Sequence, residues 1–541
     1  MKAIDRVHAA LSCEKPDRVP WVPFVGCHAG ALIGKTATEF LKSEALMVEG
    51  LQEAIKRYKP DGIPVSFDLQ IEAEALGCTL AWADENPPSV SGHILIEGRT
   101  LEDLKPLDVQ AGRIPLVLGT TRRLRQANPD LALYGLLTGP FTLALHLLGT
   151  DIFMKMFDDP DYVKRLMTYC TQVGVRMASA LIDAGCDVVA VVDPMTSQIG
   201  PDQFREFVTP YMTEVFQSVK AKGAFSSFFV CGHAQQNIVA MCECQPNNVS
   251  IDENIPLDYV RSVCLPRGIS FGGNMQLTSV LLLGSAEDSQ RNALACMEVA
   301  GETGYLLAPG CDLPYGTPPA NLEAVMRIAL DPYERDVIRA KAATKTSADL
   351  LDLSEYGNSD KIIVDIVTLD SEACAPCQYM VEAVRKVTPE FEGIVEWREH
   401  KIKYRESLVF MTSLMVRNVP TICIDGQITF VSRIPARDEL IAAIQRRINE
   451  KMRTKIQQRR ASIYILGNAG ADRDRIRVNT EKAVKELGAD VDIVEIDDEQ
   501  KIAAYGISKV MLPAVVLARY QVKTTRVIPE PAIIKEWIKD V

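Results

Sequence analysis

Short apolar runs alternate with longer stretches of helical periodicity from Arg18 to about Ile328. Apolar runs of this length, bounded by turn residues, are typical of buried strands, and their alternation with helices predicts parallel strands joined by crossover helices. Eight such strand–helix units predict an α/β fold of the closed (β/α)8 TIM-barrel type. The predicted strands are residues 19–25, 62–67, 132–137, 188–192, 225–230, 248–251, 269–272 and 305–307.

Reactive and polar residues follow the predicted strands, at the end where a barrel enzyme carries its chemistry. Asp193 and Asp252 are candidates for acid–base catalysis. The candidates for substrate binding are Cys27, His28, Asp68 and Asn274. Asp and Asn are also ordinary turn and capping residues, so loop capping is the alternative role for the carboxylates.

Two cysteines stand where apolar runs give way to loops, in the contexts V-C-G-H and A-P-G-C-D. Together with His233, Cys231 and Cys311 form a set that suits a thiophilic metal, with zinc expected and one position open for a substrate. The alternative is that both thiols are buried apolar cysteines, which are common in protein cores.

The barrel pattern ends in a polar stretch between about Arg339 and Asp360. A predicted strand (362–369), the sequence C-A-P-C and an amphipathic helix follow, an arrangement typical of thioredoxin-like folds. After Met452 a second polar stretch leads to a similar order of predicted strands and helices, in which G-N-A-G-A-D stands in place of the C-x-x-C loop. A degenerate repeat of the same fold is therefore expected. The predicted domains are 1–345, 360–450 and 460–541.

The C-A-P-C motif predicts a redox-active dithiol. Cys374 lies at a helix start, where unpaired N–H groups and the helix dipole favour a thiolate, and Cys377 one turn later can resolve a mixed disulfide. Pro420 is expected to be the cis-proline that packs beside such a dithiol and contacts its substrate. The alternative is a motif that has lost its chemistry and is purely structural.

Charge and composition exclude several classes of partner. The net charge is -12 and no basic block stands out, so nucleic acid is not an expected partner. No apolar stretch reaches the roughly 20 residues of a membrane span, and the amino terminus lacks the apolar segment of a signal peptide. A cytoplasmic location is therefore expected, and the 14 cysteines are expected to be reduced.

The predicted barrel resembles the uroporphyrinogen decarboxylase superfamily, and within it the corrinoid-dependent branch that includes the methylcobamide:coenzyme M methyltransferases. The resemblance rests on segments spread over the whole barrel. They are E-K-P-D-R-V-P (14–20), T-G-P-F-T-L-A (138–144), D-P (193–194), F-R-E-F-V-T-P-Y (204–211), V-C-G-H (230–233), G-G-N-M (272–275) and L-A-P-G-C-D-L-P with T-P-P-A-N-L (307–322).

The resemblance implies a zinc site with one altered position. In these methyltransferases, zinc is bound by H-x-C after the fifth strand and by a cysteine after the eighth, which correspond here to Cys231 and Cys311. Phe229 occupies the histidine position, so His233 is a proposed replacement, and His28 or Cys27 are alternatives. The place after the first strand, where true decarboxylases carry arginines, reads F-V-G-C-H-A-G, so porphyrin decarboxylation is not expected.

The sequence therefore predicts a corrinoid-dependent methyltransferase with an attached redox dithiol. Zinc would activate a small thiol acceptor, a corrinoid protein would present methylcobalamin, and a thioredoxin reductase-type system would serve the dithiol. The first alternative is a thiol–disulfide oxidoreductase whose barrel only binds a partner. The second is a barrel that has lost catalysis and remains a binding module.

Overall fold

The computed structural model describes residues 1–232, 234–340, 356, 361–372, 374–416, 418–458, 462–489, 491–517 and 521–539. The chain divides into two compact units, Met1–Ile444 and Gln445–Val541. The three domains expected from the sequence, with boundaries near residues 345–360 and 450–460, remain predictions.

The first part of the chain contains nine strands. They are β1 Gly62–Pro64, β2 Thr79–Ala81, β3 Ser89–Gly92, β4 Ala132–Thr138, β5 Val188–Val192, β6 Phe225–Val230, β7 Asn248–Ile251, β8 Ser270–Met275 and β9 Tyr305–Pro309. β1 and β4 to β9 form one parallel sheet in chain order, and β2 and β3 form a separate antiparallel pair. The result is an α/β fold with a curled parallel sheet, consistent with a TIM-like barrel.

The first predicted strand, residues 19–25, makes only a single bridge, between Trp21 and Leu307 of β9. On the β9 side, Leu307 N–H donates to Pro20 O and Val22 N–H donates to Leu307 O, both at 2.9 Å. On the β1 side, Asp61 N–H donates to Trp21 O at 2.8 Å. The segment thus lies between the two edges of the sheet, but Pro20 and Pro23 have no N–H to donate, which explains why no regular strand forms.

Helices alternate with these strands. Their bounds are Ala3–Leu11, His28–Leu32, Ala37–Leu41, Glu44–Tyr58, Ile71–Ala75, Ile114–Ala127, Pro140–Leu148, Asp151–Asp158, Pro160–Ala184, Pro201–Phe207, Thr209–Ala221, Ile238–Glu243, Leu257–Cys264, Ala286–Ala300, Pro319–Leu330 and Pro332–Ala340. The longest begins where Asp159 accepts a hydrogen bond from Tyr162 N–H and ends at Gly185, whose φ is 119°. Nowhere in the described part of the chain is a helix long and apolar enough to cross a membrane.

The curled sheet is packed on both faces. Along β4, Tyr134 and Leu136 belong to an inner cluster that also contains Phe229, whereas Leu133 and Leu137 belong to the larger cluster under the helices. This alternation follows from the two-residue period of a strand. Strands that are buried on both faces have nearly continuous apolar sequences. Polar residues therefore follow β6 and β9 beyond their carboxyl ends.

Two four-stranded sheets follow. The first contains β10 Ile362–Thr368, β11 Val395–Lys401, β12 Thr421–Ile424 and β13 Gln427–Val431, and the second contains β14 Ser462–Leu466, β15 Asp492–Ile496, β16 Ala514–Leu517 and β17 Gln521–Thr525. The strand orders, β11-β10-β12-β13 and β15-β14-β16-β17, correspond, and in both only the first pair is parallel. The helices of this part are Ala375–Val387, Arg405–Ser413, Arg437–Gln458, Ala471–Leu487, Glu499–Ala503 and Pro531–Lys539.

Candidate functional site

Two thiols meet at the carboxyl end of the curled sheet. Cys231 directly follows β6, Cys311 follows β9 after one residue, and their Sγ atoms are 2.9 Å apart. Both side chains are half-buried. The structure therefore brings together two of the three residues predicted to bind a metal, although 80 residues separate them in the chain.

The environment of the pair keeps both thiols protonated. A hydrogen bond with Cys311 and then burial raise the pKa of Cys231 well above its usual value, and the charges of Asp252 and Cys374 add to this effect. The same hydrogen bond is the largest single effect on Cys311 and lowers its pKa, but burial together with the charges of Asp312 and Asp252 makes the net change upward. A cation is therefore needed to hold both sulfurs as thiolates.

A third metal ligand is not found among the described residues, in which no group of three or more His, Cys, Asp or Glu side chains is arranged to hold a metal ion. His233, the predicted replacement, lies outside the described residues. Phe229 is 2% exposed and packs edge-on against Phe24 and Phe67, with ring centroids 5.3 and 5.9 Å away. The site thus provides two sulfur donors beside an aromatic wall.

His28 and Cys27, the alternative third ligands, lie in different surroundings. Both ring nitrogens of His28 are occupied, Nε2 by Tyr58 Oη at 2.8 Å and Nδ1 by Tyr315 O at 3.1 Å. Burial lowers the pKa of His28 to about 4, so the ring is neutral. Cys27 lines the same cavity as the cysteine pair, and burial raises the pKa of its thiol well above the usual value.

Asp252 lies next to the cysteine pair. Its carboxylate accepts hydrogen bonds from Gly232 N–H and, at 3.0 and 2.8 Å, from the backbone and side chain of Asn254. Burial raises the pKa of Asp252 to about 6. Asn274 donates to Asp252 O at 3.1 Å and to Ile255 O at 2.8 Å, so its amide fixes the loop that carries Asp252.

Asp193 has a structural position. It accepts hydrogen bonds from Phe141 N–H at 3.1 Å, Thr142 N–H at 2.8 Å and Thr142 Oγ1 at 2.6 Å. These N–H groups belong to the first turn of helix Pro140–Leu148 and have no partner within the helix. Burial raises the pKa of Asp193 to about 7. The carboxylate predicted to be catalytic thus caps a helix.

Asp68 is likewise fully engaged. One carboxylate oxygen accepts a hydrogen bond from Gln70 N–H at 2.9 Å, and the other pairs with Arg113. Arg113 also donates from Nε to Glu74 at 2.7 Å. The predicted substrate-binding carboxylate is therefore held in a buried ion-pair network beneath the cavity, and the network places Gln70 at its lining.

Asp312 is a cavity residue to which the sequence pattern assigned no role. It accepts a hydrogen bond from Gly26 N–H at 2.8 Å, and burial, reinforced by the charge of Asp68, raises the pKa of its carboxyl group well above the usual range. Its position directly after Cys311 was the feature of the sequence that could have identified it as a cavity residue. Lys403, a second cavity residue, follows β11 and had no local signal at all.

The C-A-P-C dithiol opens helix Ala375–Val387. Cys374 is the residue before its first turn, and Cys377 is fully buried within that turn. A hydrogen bond to Cys377 and burial raise the pKa of Cys374 well above its usual value, opposite to the thiolate character expected from the helix start. The Val419–Pro420 peptide bond is cis, and Pro420 O accepts a hydrogen bond from Ser432 N–H at 2.7 Å.

The dithiol and the cysteine pair share one cavity. Cys374, Cys231 and Cys311 all line it, and its volume is about 150 Å³. At its rim, Asn86 Nδ2 donates to Asp370 Oδ2 at 2.9 Å, which connects the loop before β3 to the loop before the dithiol. Ligand pockets for drug-sized molecules measure roughly 300–1,000 Å³, so this cavity fits only a small molecule.

Further contacts hold the dithiol region against the curled sheet. Gln198 donates from Nε2 to Ser432 O at 3.1 Å, and its Oε1 accepts from Ile434 N–H at 3.0 Å. Tyr379 is buried and stacks on His93, with ring centroids 6.2 Å apart. The position of Cys374 at the cavity therefore depends on contacts from three separate segments of the chain, which contain Asn86, His93 and Gln198.

Comparisons with known proteins agree with this architecture for the first part of the chain. The methylcobamide:CoM methyltransferase MtbA of Methanosarcina acetivorans is 27% identical over 277 residues, which are 50% of this chain and 79% of the relative. The protein of the same name from Methanosarcina mazei is 26% identical over 339 residues, 60% of this chain and 96% of the relative. A uroporphyrinogen decarboxylase of Anaeromyxobacter sp. is 27% identical over 300 residues, 53% of this chain and 85% of the relative.

A solved structure and a family profile agree with these relatives. The structure, a methyltransferase from Methanosarcina mazei, superposes with a TM-score of 0.57 at 25% identity and covers 63% of this chain and 100% of its own. The profile of the uroporphyrinogen decarboxylase (URO-D) family matches residues 2–331, more than half of the chain. The chain belongs to the uroporphyrinogen decarboxylase (URO-D) family.

Proposed function

We propose that this protein is a corrinoid-dependent methyltransferase that transfers a methyl group from a methylcobamide to the sulfur of a small thiol. The observation that carries the proposal is the pair Cys231 and Cys311, with sulfurs 2.9 Å apart in a cavity at the carboxyl end of the sheet. Relatives named methylcobamide:CoM methyltransferases support this choice of donor and acceptor.

The cavity favours a thiol over a porphyrin as substrate. A uroporphyrinogen carries several carboxylates, which need cationic partners when they are buried. Lys403 is the cation in the described lining of the cavity, and it is paired with Asp370 at 2.7 Å. Arg113 below the cavity is paired with Asp68 and Glu74. Decarboxylation, the activity named for other relatives, therefore has little support here.

Zinc is the metal that this donor set favours. Cys231 and Cys311 would hold it, His233 is proposed as the third ligand, and one position would remain for the substrate. Bound zinc would supply the positive charge that favours the thiolate form of the substrate.

The chain's own residues bind and orient the substrate thiol. Cys231 and Cys311 provide a soft, half-buried surface, the side chains of Phe67 and Leu69 line the cavity beside them, and the loop held by Asn274 keeps Asp252 beside the sulfurs. In the transfer, a sulfur–carbon bond forms while the cobalt–carbon bond of the donor breaks. The electron pair of the broken bond stays on cobalt, and the proton of the thiol leaves to solvent.

Replacement of one sulfur donor tests the proposal. Cys311→Ser should reduce the amount of bound zinc, measured by elemental analysis after gel filtration. It should also lower methyl transfer from methylcobalamin to coenzyme M by at least about 100-fold, because loss of a direct metal ligand should cost at least as much as loss of a residue that supports a ligand. Cys13→Ser, at a half-buried cysteine outside the cavity, is the matched control. Full zinc content and unchanged transfer in Cys311→Ser would refute the proposal.

A second candidate is a thiol–disulfide oxidoreductase whose barrel binds or presents a partner. The strand order of the sheet that carries β10, with one parallel and two antiparallel pairs, supports a thioredoxin-like domain around Cys374 and Cys377. This candidate predicts that Cys374→Ser abolishes insulin reduction and that the chain transfers no methyl group. Detectable methyl transfer by the purified protein would exclude it as the sole function.

A further inference from the structure

Four cysteines around one cavity form two dithiols. Cys231 and Cys311 are one pair, with sulfurs 2.9 Å apart, and Cys374 and Cys377 are the other, joined by a hydrogen bond. Cys374 lines the cavity together with the first pair, whereas Cys377 is fully buried behind it. A reaction between these two dithiols rests on the proposed function only where zinc is involved.

The arrangement matches the roles that thiol–disulfide exchange requires. An attacking sulfur must be accessible to the target disulfide, and a second sulfur must be placed to release the attacker. Cys374 is half-buried and lines the cavity, and Cys377 lies in the first turn of the helix that Cys374 precedes. Cys374 lines the same cavity as Cys231 and Cys311, and we take Cys231 as the target because its thiol interacts electrostatically with Cys374.

The first pair can itself be oxidised. A disulfide bond is about 2.05 Å long, so closure requires the sulfurs of Cys231 and Cys311 to approach by less than about 1 Å. Oxidation of this pair would remove both sulfur donors of the proposed zinc site at once. A means of reversing it would therefore preserve the site.

We propose that Cys374 and Cys377 reduce a disulfide between Cys231 and Cys311 by exchange within the chain. Cys374 gives up its proton to solvent and its sulfur attacks Cys231 Sγ, the Cys231–Cys311 bond breaks, and Cys311 leaves as a thiolate that takes up a proton. The Cys377 thiolate then attacks Cys374 Sγ, and Cys231 leaves in the same way. Two electrons and two protons pass from one dithiol to the other, and an external dithiol reductant restores Cys374 and Cys377.

Removal of the resolving sulfur should trap the intermediate. The full-length Cys377→Ser protein, stripped of metal and oxidised with diamide, should accumulate a disulfide between Cys374 and Cys231, identified by mass spectrometry of non-reduced peptides. A Cys377→Ala protein repeats the measurement with a different side chain at the same buried position. In the background of either variant, Cys27→Ser is the matched control, because Cys27 lines the same cavity and should leave the cross-link unchanged.

Two results would overturn the proposal. One is oxidation of Cys231 and Cys311 to a disulfide in Cys377→Ser without any linkage to Cys374. The other is a linkage of Cys374 that forms only between different chains.

A kinetic measurement separates this inference from the methyltransferase assignment. In the oxidised protein, limiting dithiothreitol should reduce the Cys231–Cys311 disulfide at least about tenfold faster when Cys374 is present than in Cys374→Ser, because the intramolecular dithiol acts at a millimolar effective concentration. Equal rates would contradict the exchange. The assay contains no methyl donor, so a protein that exchanges disulfides but transfers no methyl group would refute the proposed function alone.

Discussion

The position of the Asp312 side chain depends on Gly26, which contacts it and has no side chain of its own. Gly26 donates its N–H to Asp312 Oδ1, and a Cβ atom built on Gly26 would lie 2.4 Å from that oxygen. The carboxyl group therefore reaches the backbone of the first loop only because residue 26 is glycine. Since Asp312 is buried and directly follows Cys311, this contact also fixes one side of the cysteine pair.

Gly26→Ala should push the Asp312 carboxyl group away and leave a buried hydrogen bond broken. We expect a loss of about 2–3 kcal/mol in the free energy of unfolding, measured by chemical denaturation. Gly316→Ala is the matched control, because no atom lies within 4 Å of the place its new methyl group would take and the change should cost little. Equal stabilities of the two variants would show that Asp312 moves without cost.

At the scale of elements, the buried carboxylate of Asp193 joins the end of one strand to the start of a helix. Asp193 follows β5 and binds the first N–H groups of helix Pro140–Leu148, which follows β4. The neighbouring units of the sheet are thus connected by a polar contact that lies within the core. This contact gives Asp193 a structural role, and the catalytic role predicted from the sequence stays a prediction.

Asp193→Ala should leave the N–H groups of Phe141 and Thr142 without partners. The expected cost is about 2–4 kcal/mol of unfolding free energy, with the transfer rate per folded molecule preserved, which denaturation and methyl-transfer assays measure together. Asp159→Ala removes an exposed helix cap of the same kind and should cost only about 1 kcal/mol. Selective loss of activity at unchanged stability would instead support the catalytic role predicted from the sequence.

The elements were predictable where local pattern determines them. The apolar runs identified β4 to β9, and the placement of Cys231 and Cys311 after strands predicted that these thiols would meet. The segment around Trp21 was predicted as a strand because its apolar character was clear, whereas the missing N–H groups of Pro20 and Pro23 prevented regular pairing. His28 was expected at the site, but the partners that turn its ring away, Tyr58 and Tyr315, are distant in the chain.

At the scale of the whole unit Met1–Ile444, the dithiol lies over the mouth of the curled sheet. No sequence pattern specifies this arrangement, because it depends on contacts such as those of Gln198 with Ser432 and Ile434 and on the stacking of Tyr379. Each contact joins residues far apart in the chain, and a linker of given length permits many other positions.

Gln198→Ala should weaken the attachment of the dithiol region by about 1–2 kcal/mol, because two hydrogen bonds are lost. This corresponds to a roughly tenfold increase in the detached population. The alkylation rate of Cys374 by iodoacetamide, followed by mass spectrometry, should rise by a similar factor. Gln126→Ala, at an exposed glutamine of helix Ile114–Ala127, should leave the rate unchanged. An unchanged rate in Gln198→Ala would show that Cys374 reacts without detachment.

The small cavity beneath Cys374 has a consequence for the timing of turnover. Under the proposed function, the methyl donor must reach a thiol bound beside Cys231 and Cys311 in the cavity that Cys374 also lines, and a corrinoid macrocycle is several times larger than the cavity volume of about 150 Å³. Under the proposed function, the methyl donor and the dithiol would not occupy the mouth simultaneously. Each cycle of the proposed transfer would then include a departure and a return of the dithiol, and the frequency of that departure would set an upper limit on the turnover number.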